Sequence, residues 1–552
     1  MSSSPRPSKF LFAAFVMTLV FGAATFGNLP GPVTSTGSQV VNGVVFNFAD
    51  YPSLTHEQVA AFNYVRGLVN QPLERWDGWN IGSGVYYLVH YQLAFMSYAI
   101  ERMFEVTSGY RTSYYSDVAY NLVKKMNTTE AEYTNASIES MEWTRPVIGY
   151  SNWTQYYYPD PIHPDANDVY TGGFRGPANI MWTGHYALME LLYERNFHNS
   201  TFYDEYSWYM QDWNNSLTTD GLGHPRASGI WECGLIPCQP YAIWVQCNTI
   251  PLYFTELYDN LHGTDWMETG MWDYGLNFIE ANMTDQYGLY TDEYFVQEPM
   301  GFHQLGDGPV QEFPGKRLDP YVNDGRPLLE GYGVAWSLLF IEYTEPNVTA
   351  EDYPVFLEHY SKDISADQLC MIDTYHNPGK FDTYDMLCNL YAVALAQQMG
   401  DLVTRDRIAN FIYSPYNKVW SADGRSMHWD TTAVEPFLQS SLAYGWLWAT
   451  VPVSVKALAD ARPADFWNYP YISSADDDNI WIYQAQWDPI KQGFVLNVRV
   501  DKTATLTFSN FASEPTAYSG GYPLPPLTPV GGSDYALTLS PGTYQLVLTT
   551  GG

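Results

Sequence analysis

Val59-Ala-Ala-Phe62-Asn-Tyr-Val65-Arg-Gly-Leu68 shows the pattern that dominates this chain. Its larger apolar residues recur every third position, which is typical of a helix that presents one face to a core. A similar pattern runs from Tyr87 to Met103. Further helical patterns begin near nine later positions: Asn179, Asp204, Ile243, Trp266, Leu328, Ala350, Thr383, Leu402 and Pro436. The sequence from residue 55 to residue 460 therefore predicts a mainly α-helical domain.

The connections between the predicted helices are long and rich in Gly, Pro, Tyr and Asp, as in 144–178 and 286–328. Loops of this length inside a compact domain are usually functional. Paired helices with long loops favour an α/α toroid, in which an inner ring of helices surrounds a pocket. A stack of helical repeats is the alternative, although no fixed sequence period is present.

The pattern changes at Arg462-Pro463. Short runs of alternating residues follow, rich in β-branched and aromatic side chains, at 481–487, 494–500, 504–508 and 544–548. Such alternation predicts antiparallel strands, and the length fits a small β-sandwich over residues 461–552. Residues 28–54 are expected to form an irregular lead-in or a stalk.

The N-terminus carries Arg6 and Lys9, followed by an uncharged apolar run from Phe10 to Gly27. This predicts a signal peptide or a membrane anchor over residues 1–27, since eighteen residues are borderline for spanning a bilayer. Seven Asn-x-Ser/Thr sequons predict glycosylation in the secretory pathway. They lie at Asn127, Asn135, Asn152, Asn199, Asn214, Asn282 and Asn347. We expect the protein to be secreted, or anchored with its main domain on the lumenal or extracellular side.

Composition narrows the class of partner. With 26 basic and 60 acidic residues the net charge is −34, and such a surface repels nucleic acid. Apolar residues make up 46% and aromatic residues 17%, which excludes a disordered chain. After residue 27 the sequence has no long apolar run, so it does not predict a polytopic membrane protein.

Three of the five cysteines, Cys233, Cys238 and Cys247, fall within fifteen residues, among Trp231, Tyr241 and Trp244. Two interpretations remain open. A thiol pair in an aromatic setting suggests chemistry on an apolar molecule, whereas in an oxidising compartment cysteines pair in disulfides. Cys233 with Cys238, or Cys370 with Cys388, could form such a bond. No C-x-x-C pair or nearby His supports a zinc site.

His185 follows a glycine and opens an apolar helical run, a setting that also suits an ordinary core histidine. Carboxylates in aromatic or Gly-rich loops are candidate acids and bases: Asp77, Asp165, Asp168 and Glu232. No nucleotide-binding, hydrolase or metalloprotease motif occurs in a supporting context, so the sequence predicts no cofactor.

Several motifs, taken in order, resemble the linalool dehydratase/isomerase family over about residues 55–460. They are Asn179-Ile-Met-x-x-Gly-His185, Cys238-x8-Cys247-Asn248, Leu261-His-Gly-Thr-Asp265, Gly331-Tyr332-x-x-Ala335-Trp336 and Met399-Gly-Asp401. The resemblance implies an (α/α)6 barrel with a buried apolar pocket. It also implies cofactor-free removal or addition of water at an allylic terpene alcohol, together with isomerisation of the alcohol.

The site residues follow from the same resemblance. His185, Cys238 and Cys247 would be catalytic, and Tyr91, Met181, Trp244 and Tyr332 would line the pocket. The implied partner is a small apolar alcohol or alkene. Family members assemble so that neighbouring subunits complete each pocket, which implies a homo-oligomer.

One departure from the family is serious. Where the family has an Asp on its first helix, this chain has Arg66, and Asp77 in the next loop is the candidate substitute. Two alternatives stay open, the first because of this departure and the second because of the acidic, Tyr- and Trp-rich composition, the secretory route and the β-domain. One is a non-catalytic glycoprotein that kept the barrel. The other is a carbohydrate hydrolase or lyase that uses two carboxylates such as Glu232 and Asp165.

Overall fold

The computed structural model describes residues 37–73, 75–79, 89–126, 180–219, 224–229, 231, 233–238, 242–290, 293–295, 316–317, 329–373, 386–432 and 439–550. In these parts of the chain there are twelve α-helices. They are α1 (His56–Val69), α2 (Val89–Val106), α3 (Ser113–Met126), α4 (Ile180–Phe197), α5 (Tyr203–Thr218), α6 (Val245–His262), α7 (Asp273–Asn282), α8 (Gly331–Ile341), α9 (Pro346–Tyr360), α10 (Met386–Gln398), α11 (Leu402–Tyr413) and α12 (Gln439–Thr450).

Eighteen strands accompany these helices in the described residues. They are β1 (Ser38–Val41), β2 (Val44–Asn47), β3 (Ala242–Trp244), β4 (Glu293–Phe295), β5 (Lys316–Arg317), β6 (Ser361–Ser365), β7 (Gln368–Met371), β8 (Asn417–Trp420), β9 (Met427–Asp430), β10 (Tyr471–Ala475), β11 (Ile480–Asp488), β12 (Gly493–Val500), β13 (Ala504–Ser509), β14 (Pro515–Ser519), β15 (Tyr522–Pro523), β16 (Thr528–Gly531), β17 (Asp534–Leu539) and β18 (Gly542–Thr550). The prediction of a mainly helical region followed by antiparallel strands is confirmed.

Six helices contact one another in a closed order: α2, α4, α6, α8, α10, α12 and then α2 again. Other helices pack against this ring. α3 contacts α2 and α4, α5 contacts α4, α9 contacts α8, α11 contacts α10, and α1 contacts α12. The even-numbered helices therefore form an inner layer and these odd-numbered helices an outer one.

Burial distinguishes the two layers. Sixteen residues of α4 are buried, from Ile180 to Asn196, because neighbours cover this helix on several sides. Helix α3 in the outer layer is amphipathic: Val118 and Leu122 are buried, whereas Tyr120 is exposed. Gly184 in α4 allows a close approach, since an added Cβ would lie 3.3 Å from Pro251 Cδ of α6.

Helix α1 begins as its sequence predicts. Thr55 Oγ1 accepts from the backbone N–H of Gln58 (3.1 Å), and Gln58 Oε1 accepts from the backbone N–H of Thr55 (2.7 Å). This reciprocal pair is a capping box and satisfies two backbone donors at the helix start. The buried face includes Val59, Phe62 and Val65, as the opening pattern predicts.

The C-terminal strands form two antiparallel sheets. One has the order β10-β13-β17-β16, and the other has the order β11-β12-β18-β14-β15. Phe494 of β12 and Phe508 of β13 meet with ring centroids 5.6 Å apart, so residues from different sheets contact each other. Alternation along β13 places Leu506 and Phe508 in the core and leaves Thr505 and Thr507 partly exposed.

Part of the segment 28–54, which was expected to be an irregular lead-in or a stalk, forms regular strands in the structure. β1 and β2 form an antiparallel hairpin in which Val41 pairs with Val44 and Gln39 pairs with Phe46. Val41 and Phe46 are buried with Val495 and Val547 of the five-stranded sheet. The hairpin was not predicted, although Asn42-Gly43 between apolar residues is the local signal of such a turn, and both residues have positive φ here. Only its packing partners lie about 450 or more positions away.

Arginines fix the connection between the helices and the sheets. Arg102 of α2 donates to the backbone oxygens of Trp448, Val451 (2.9 Å) and Val453 (2.5 Å), at the end of α12 and just beyond it. Arg195 of α4 donates to Ala457 O (2.9 Å) and Asp460 O (2.7 Å). These charge-assisted bonds satisfy carbonyl groups that the end of a helix leaves without partners.

No helix in the described ranges is long and apolar enough to cross a membrane. The signal peptide or anchor predicted for residues 1–27 lies outside those ranges. Among the sequons, Asn127, Asn135 and Asn152 also lie outside them. Of the described ones, Asn199 and Asn347 are exposed, and Asn214 and Asn282 are partly exposed.

Candidate active site

Predicted site residues from four inner helices meet at the helix N-terminal ends. Tyr91 is the third residue of α2 and donates its phenol O–H to Met181 Sδ, the second residue of α4, at 3.6 Å. The Tyr91 ring also lies 5.6 Å from the ring of His185, one turn further along α4. In α6 and α8, Gln246 donates to the phenol oxygen of Tyr332 at 3.0 Å. The first turns of α2, α4, α6 and α8 therefore share one end of the ring.

His185 is fully buried in an aromatic environment. Its ring centroid lies 5.2 Å from Trp336, 5.6 Å from Phe95 and 5.9 Å from Tyr98. Burial, and then the neighbouring His90, hold the pKa of His185 well below its usual range. The imidazole is therefore neutral at physiological pH.

The two ring nitrogens of His185 differ. Nδ1 lies 2.8 Å from the phenol oxygen of Tyr98, and Nε2 is buried with no hydrogen-bond partner among the described residues. Tyr98 is two turns after Tyr91 on α2, so both phenols lie on one face of that helix. Tyr98 belongs to the apolar pattern from Tyr87 to Met103, and its spacing of seven from Tyr91 is the signal that the sequence offers for its role.

The predicted catalytic cysteines lie within electrostatic range of Tyr91. Cys247 is in the first turn of α6, Cys238 precedes that helix, and both are buried. Burial first, and then electrostatic interaction with Cys247 and Cys238, raise the pKa of the Tyr91 phenol well above its usual range. The two sulfurs are thus within electrostatic range of the Tyr91 oxygen.

Each of the five cysteines, all in described positions, is a buried thiol. The disulfide interpretation of Cys233 with Cys238, or of Cys370 with Cys388, is therefore not what the structure contains. Within the described ranges, no group of three or more His, Cys, Asp or Glu side chains could hold a metal ion.

Asn248 positions the segment that carries Cys238. Its Oδ1 accepts from Ile236 N (2.9 Å), and its Nδ2 donates to Ile236 O (2.9 Å) and Trp244 O (3.1 Å). The residue after Ile236, Pro237, accepts a hydrogen bond at its backbone oxygen from the N–H of Ile180 at the start of α4 (3.1 Å). Residues 236–238 are thereby tied to the N-terminal ends of both α4 and α6.

Trp244 is the residue immediately before α6 and also ends β3, where it pairs with Glu293. Trp244, Tyr91 and Tyr332 are each partly buried, whereas Met181 and Cys247 are buried. Buried carboxylates that the sequence analysis did not select lie near Tyr332. Gln246 Nε2 donates to Glu330 Oε1 (3.3 Å), and Asp373 Oδ2 accepts from the backbone N–H of Tyr332 (3.2 Å).

The remaining candidates lie elsewhere. Arg66 is on α1 in the outer layer, with its guanidinium 4.8 Å from the ring centre of Tyr114. Asp77 is mostly exposed and forms an ion pair with the exposed Arg75 (3.1 Å), so the structure does not place it as a substitute in the site. Asp165, Asp168 and Glu232 fall outside the described residues.

One stretch of the chain, which includes Cys233, Cys238 and Cys247, is similar to a known protein family. Residues 230–311 match the linalool dehydratase/isomerase family. The matched segment contains Cys233, Cys238 and Cys247 as well as the Leu261–Asp265 motif, and it confirms the resemblance noted in the sequence over this part of the chain.

Among solved structures, a GH127 β-L-arabinofuranosidase from Geobacillus stearothermophilus T6 is similar at 11% identity and a TM-score of 0.31. That similarity covers 90% of this chain and 75% of the arabinofuranosidase chain. Sequence identity and TM-score are both too low for this likeness to support an assignment of fold or activity.

Proposed function

We propose that this protein is a cofactor-free hydro-lyase/isomerase that acts on a small apolar alcohol, such as a terpenoid or another alkenol. One observation carries the proposal. The thiols of Cys238 and Cys247, in a segment that matches the linalool dehydratase/isomerase family, lie within electrostatic range of Tyr91. His185 contacts the same tyrosine at 5.6 Å.

The environment suits the removal of water from an alcohol. The reaction requires a proton for the leaving oxygen and a base for the neighbouring carbon, both within hydrogen-bond reach. Buried thiols can serve both needs, since a thiol that has given its proton to the oxygen is a thiolate that can take a proton from carbon. The carbon proton then restores the thiol, and the net products are an alkene and water.

The aromatic rings can stabilise positive charge on the substrate. Tyr91, Phe95 and His185 all contact Trp336, with ring centroids 5.4, 5.3 and 5.2 Å apart. An allylic cation over such a face gains about 1–2 kcal/mol when water is excluded. The helix N-termini at this end each carry about half a positive charge, which favours the departing oxygen rather than the cation. We therefore place the oxygen towards the helix ends and the hydrocarbon against the rings.

We also infer that the ring of six inner helices with its outer layer is an (α/α)6 barrel, and that the two C-terminal sheets form a β-sandwich. The cyclic contacts of α2 to α12 and the contact of Phe494 with Phe508 support this. The sequons and the apolar N-terminal run support a location in the secretory pathway. Assembly into a homo-oligomer remains part of the proposal, on the family resemblance alone.

The test is turnover of allylic terpene alcohols, with linalool as the first, measured by gas chromatography of alkene and alcohol products. We expect Cys238→Ala and Cys247→Ala each to lower kcat/KM by about 10²–10⁴-fold, because each removes a proton-transfer group. Cys370→Ala is the matched control, since this buried thiol lies in the β6–β7 hairpin, which packs against α11. Unchanged turnover in both site variants would overturn the thiol mechanism.

A further inference from the structure

The hydrogen bond between Tyr98 and His185 is enclosed by the inner ring. The two atoms, the phenol oxygen and Nδ1, are 2.8 Å apart, and both side chains are buried. Trp448 and Phe340 lie against the Tyr98 ring at 6.0 and 5.8 Å. Because this pair is shielded from water, its proton arrangement is determined by the protein.

Both partners are neutral. Burial raises the pKa of the Tyr98 phenol well above its usual range, and burial lowers that of the His185 imidazole. A neutral phenol has one donor, and a neutral imidazole has one donor and one acceptor nitrogen. The bond therefore has two alternatives: Tyr98 donates to Nδ1, or Nδ1–H donates to the phenol oxygen.

The surroundings favour the first alternative. Among the described residues, His185 Nδ1 is the acceptor within reach of the Tyr98 hydroxyl. If Nδ1 carried the proton, the buried O–H of Tyr98 would lose this acceptor. Each alternative leaves one buried donor without an acceptor among the described residues, Nε2–H in the first and the Tyr98 O–H in the second, so the unpaired donors do not decide between them. The second alternative also leaves the basic lone pair of Nε2 without a donor. The first has the stronger bond, because a phenol O–H is a better donor than an imidazole N–H and an imidazole nitrogen is a better acceptor than a phenol oxygen. The second nitrogen, Nε2, then carries the imidazole proton, and it has no partner in the described part of the chain.

We propose that Tyr98 is a positioning residue that fixes His185 as the Nε2–H tautomer, so that the imidazole meets substrate as a hydrogen-bond donor and not as a base. The substrate part of this statement rests on the proposed function: the Nε2–H group donates to the alcohol oxygen as its bond to carbon breaks. His185 keeps its proton throughout, and the proton transfers belong to the thiols. The tautomer itself does not depend on any activity.

The tautomer is measured directly by ¹⁵N NMR of the full chain labelled at histidine, because the protonated and the bare ring nitrogen resonate far apart. The chain has 11 histidines, and His185→Gln identifies the signal of interest. We expect Nε2–H in the wild type and loss of that preference in Tyr98→Phe. Tyr253→Phe is the matched control. It removes another buried phenol, one that donates to Val455 O at 2.6 Å, and should leave the His185 signals in place. A wild-type Nδ1–H tautomer would overturn the inference even if the enzyme dehydrates alcohols.

Kinetics separate a donor from a base. A glutamine side chain can donate from its amide N–H but cannot accept a proton as an imidazole does. We expect His185→Ala to lower kcat by about 10²–10³-fold, as loss of one oriented donor does. The kcat of His185→Gln should be at least about tenfold higher than that of His185→Ala. Equal loss in two folded variants would make His185 a base and overturn the donor role. If the NMR result holds while no alcohol is turned over, the proposed function fails and the tautomer assignment stands.

Discussion

Asn248 holds the main chain of Ile236 through two hydrogen bonds, each 2.9 Å long, one to the backbone N–H and one to the backbone oxygen. The Asn248 side chain thus gives Ile236 the two main-chain hydrogen bonds that a neighbouring strand would give it in a sheet. Because Cys238 lies two residues beyond Ile236 and Cys247 immediately precedes Asn248, this contact joins the two parts of the chain that carry the thiols.

Asn248→Ala should therefore both destabilise the protein and disturb the site. Asn248 and Ile236 are both buried, so the substitution leaves a buried N–H and a buried C=O without partners. We expect a loss of about 2–4 kcal/mol in the free energy of unfolding, measured by urea titration. Asn277→Ala is the control, because the exposed Asn277 bonds only within α7, and it should change stability by less than about 0.5 kcal/mol. Equal stability of the two variants would contradict the structural role of Asn248.

Gly275 of α7 lies against Gly234, in the segment that carries Cys233 and Cys238. A Cβ at this position would come within 2.2 Å of the backbone oxygen of Gly234, which cannot move aside like a flexible side chain. We expect Gly275→Ala to lower the free energy of unfolding by about 1–3 kcal/mol. Gly67→Ala in α1 is the opposite case, because a Cβ there meets nothing within 4 Å. It should raise stability by about 0.5–1 kcal/mol through helix propensity, so the two variants should shift thermal unfolding in opposite directions.

The buried Glu101 should make stability depend on pH. Burial raises the pKa of Glu101 to about 8, against the opposing effects of a hydrogen bond from Asn196 and the charges of Arg195 and Arg462. Between about pH 4.5 and 8 the folded protein holds a proton that the unfolded chain releases. The contribution of this carboxyl to the free energy of unfolding is thus present at low pH and is lost as pH rises through about 8. Over this range the free energy of unfolding falls by up to about 1.4 kcal/mol per pH unit.

Urea unfolding of the wild type and of Glu101→Gln at several pH values checks this expectation. Glutamine keeps the shape and cannot ionise, so the difference between the two proteins should grow in favour of the variant as pH increases from about 5 to 8. A difference independent of pH in that range would show that Glu101 does not titrate there.

Glycosylation can be tested at the exposed sequons. Asn199 and Asn347 are exposed, and Asn199 lies between α4 and α5. We expect endoglycosidase treatment of the protein from a eukaryotic secretory host to lower its mass. Asn199→Gln and Asn347→Gln should each remove one glycan. An unchanged mass in both variants would show that neither sequon is used.

Much of the local structure was predictable from the sequence. The predicted starts at Asp204, Leu328, Thr383, Leu402 and Pro436 lie within three residues of observed helix starts, because helical periodicity is a property of neighbouring residues. Helix α3 was not predicted, although Tyr115, Val118, Leu122 and Met126 carry the same spacing. Several C-terminal strands, among them β10 and β17, were also missed, since short strands gain their stability from partners distant in the chain.

The sequence by itself determined the helical character, the change to strands after residue 462, and the placement of His185 and Cys247 in the early turns of helices. These follow from interactions within a few residues. Only the tertiary structure decided that Tyr91 lies within electrostatic range of both thiols, that Asp77 is exposed, and that Tyr98 bonds to Nδ1 of His185. The physical reason is that such contacts depend on how inner helices far apart in the chain are aligned, and packing of the whole ring sets that alignment.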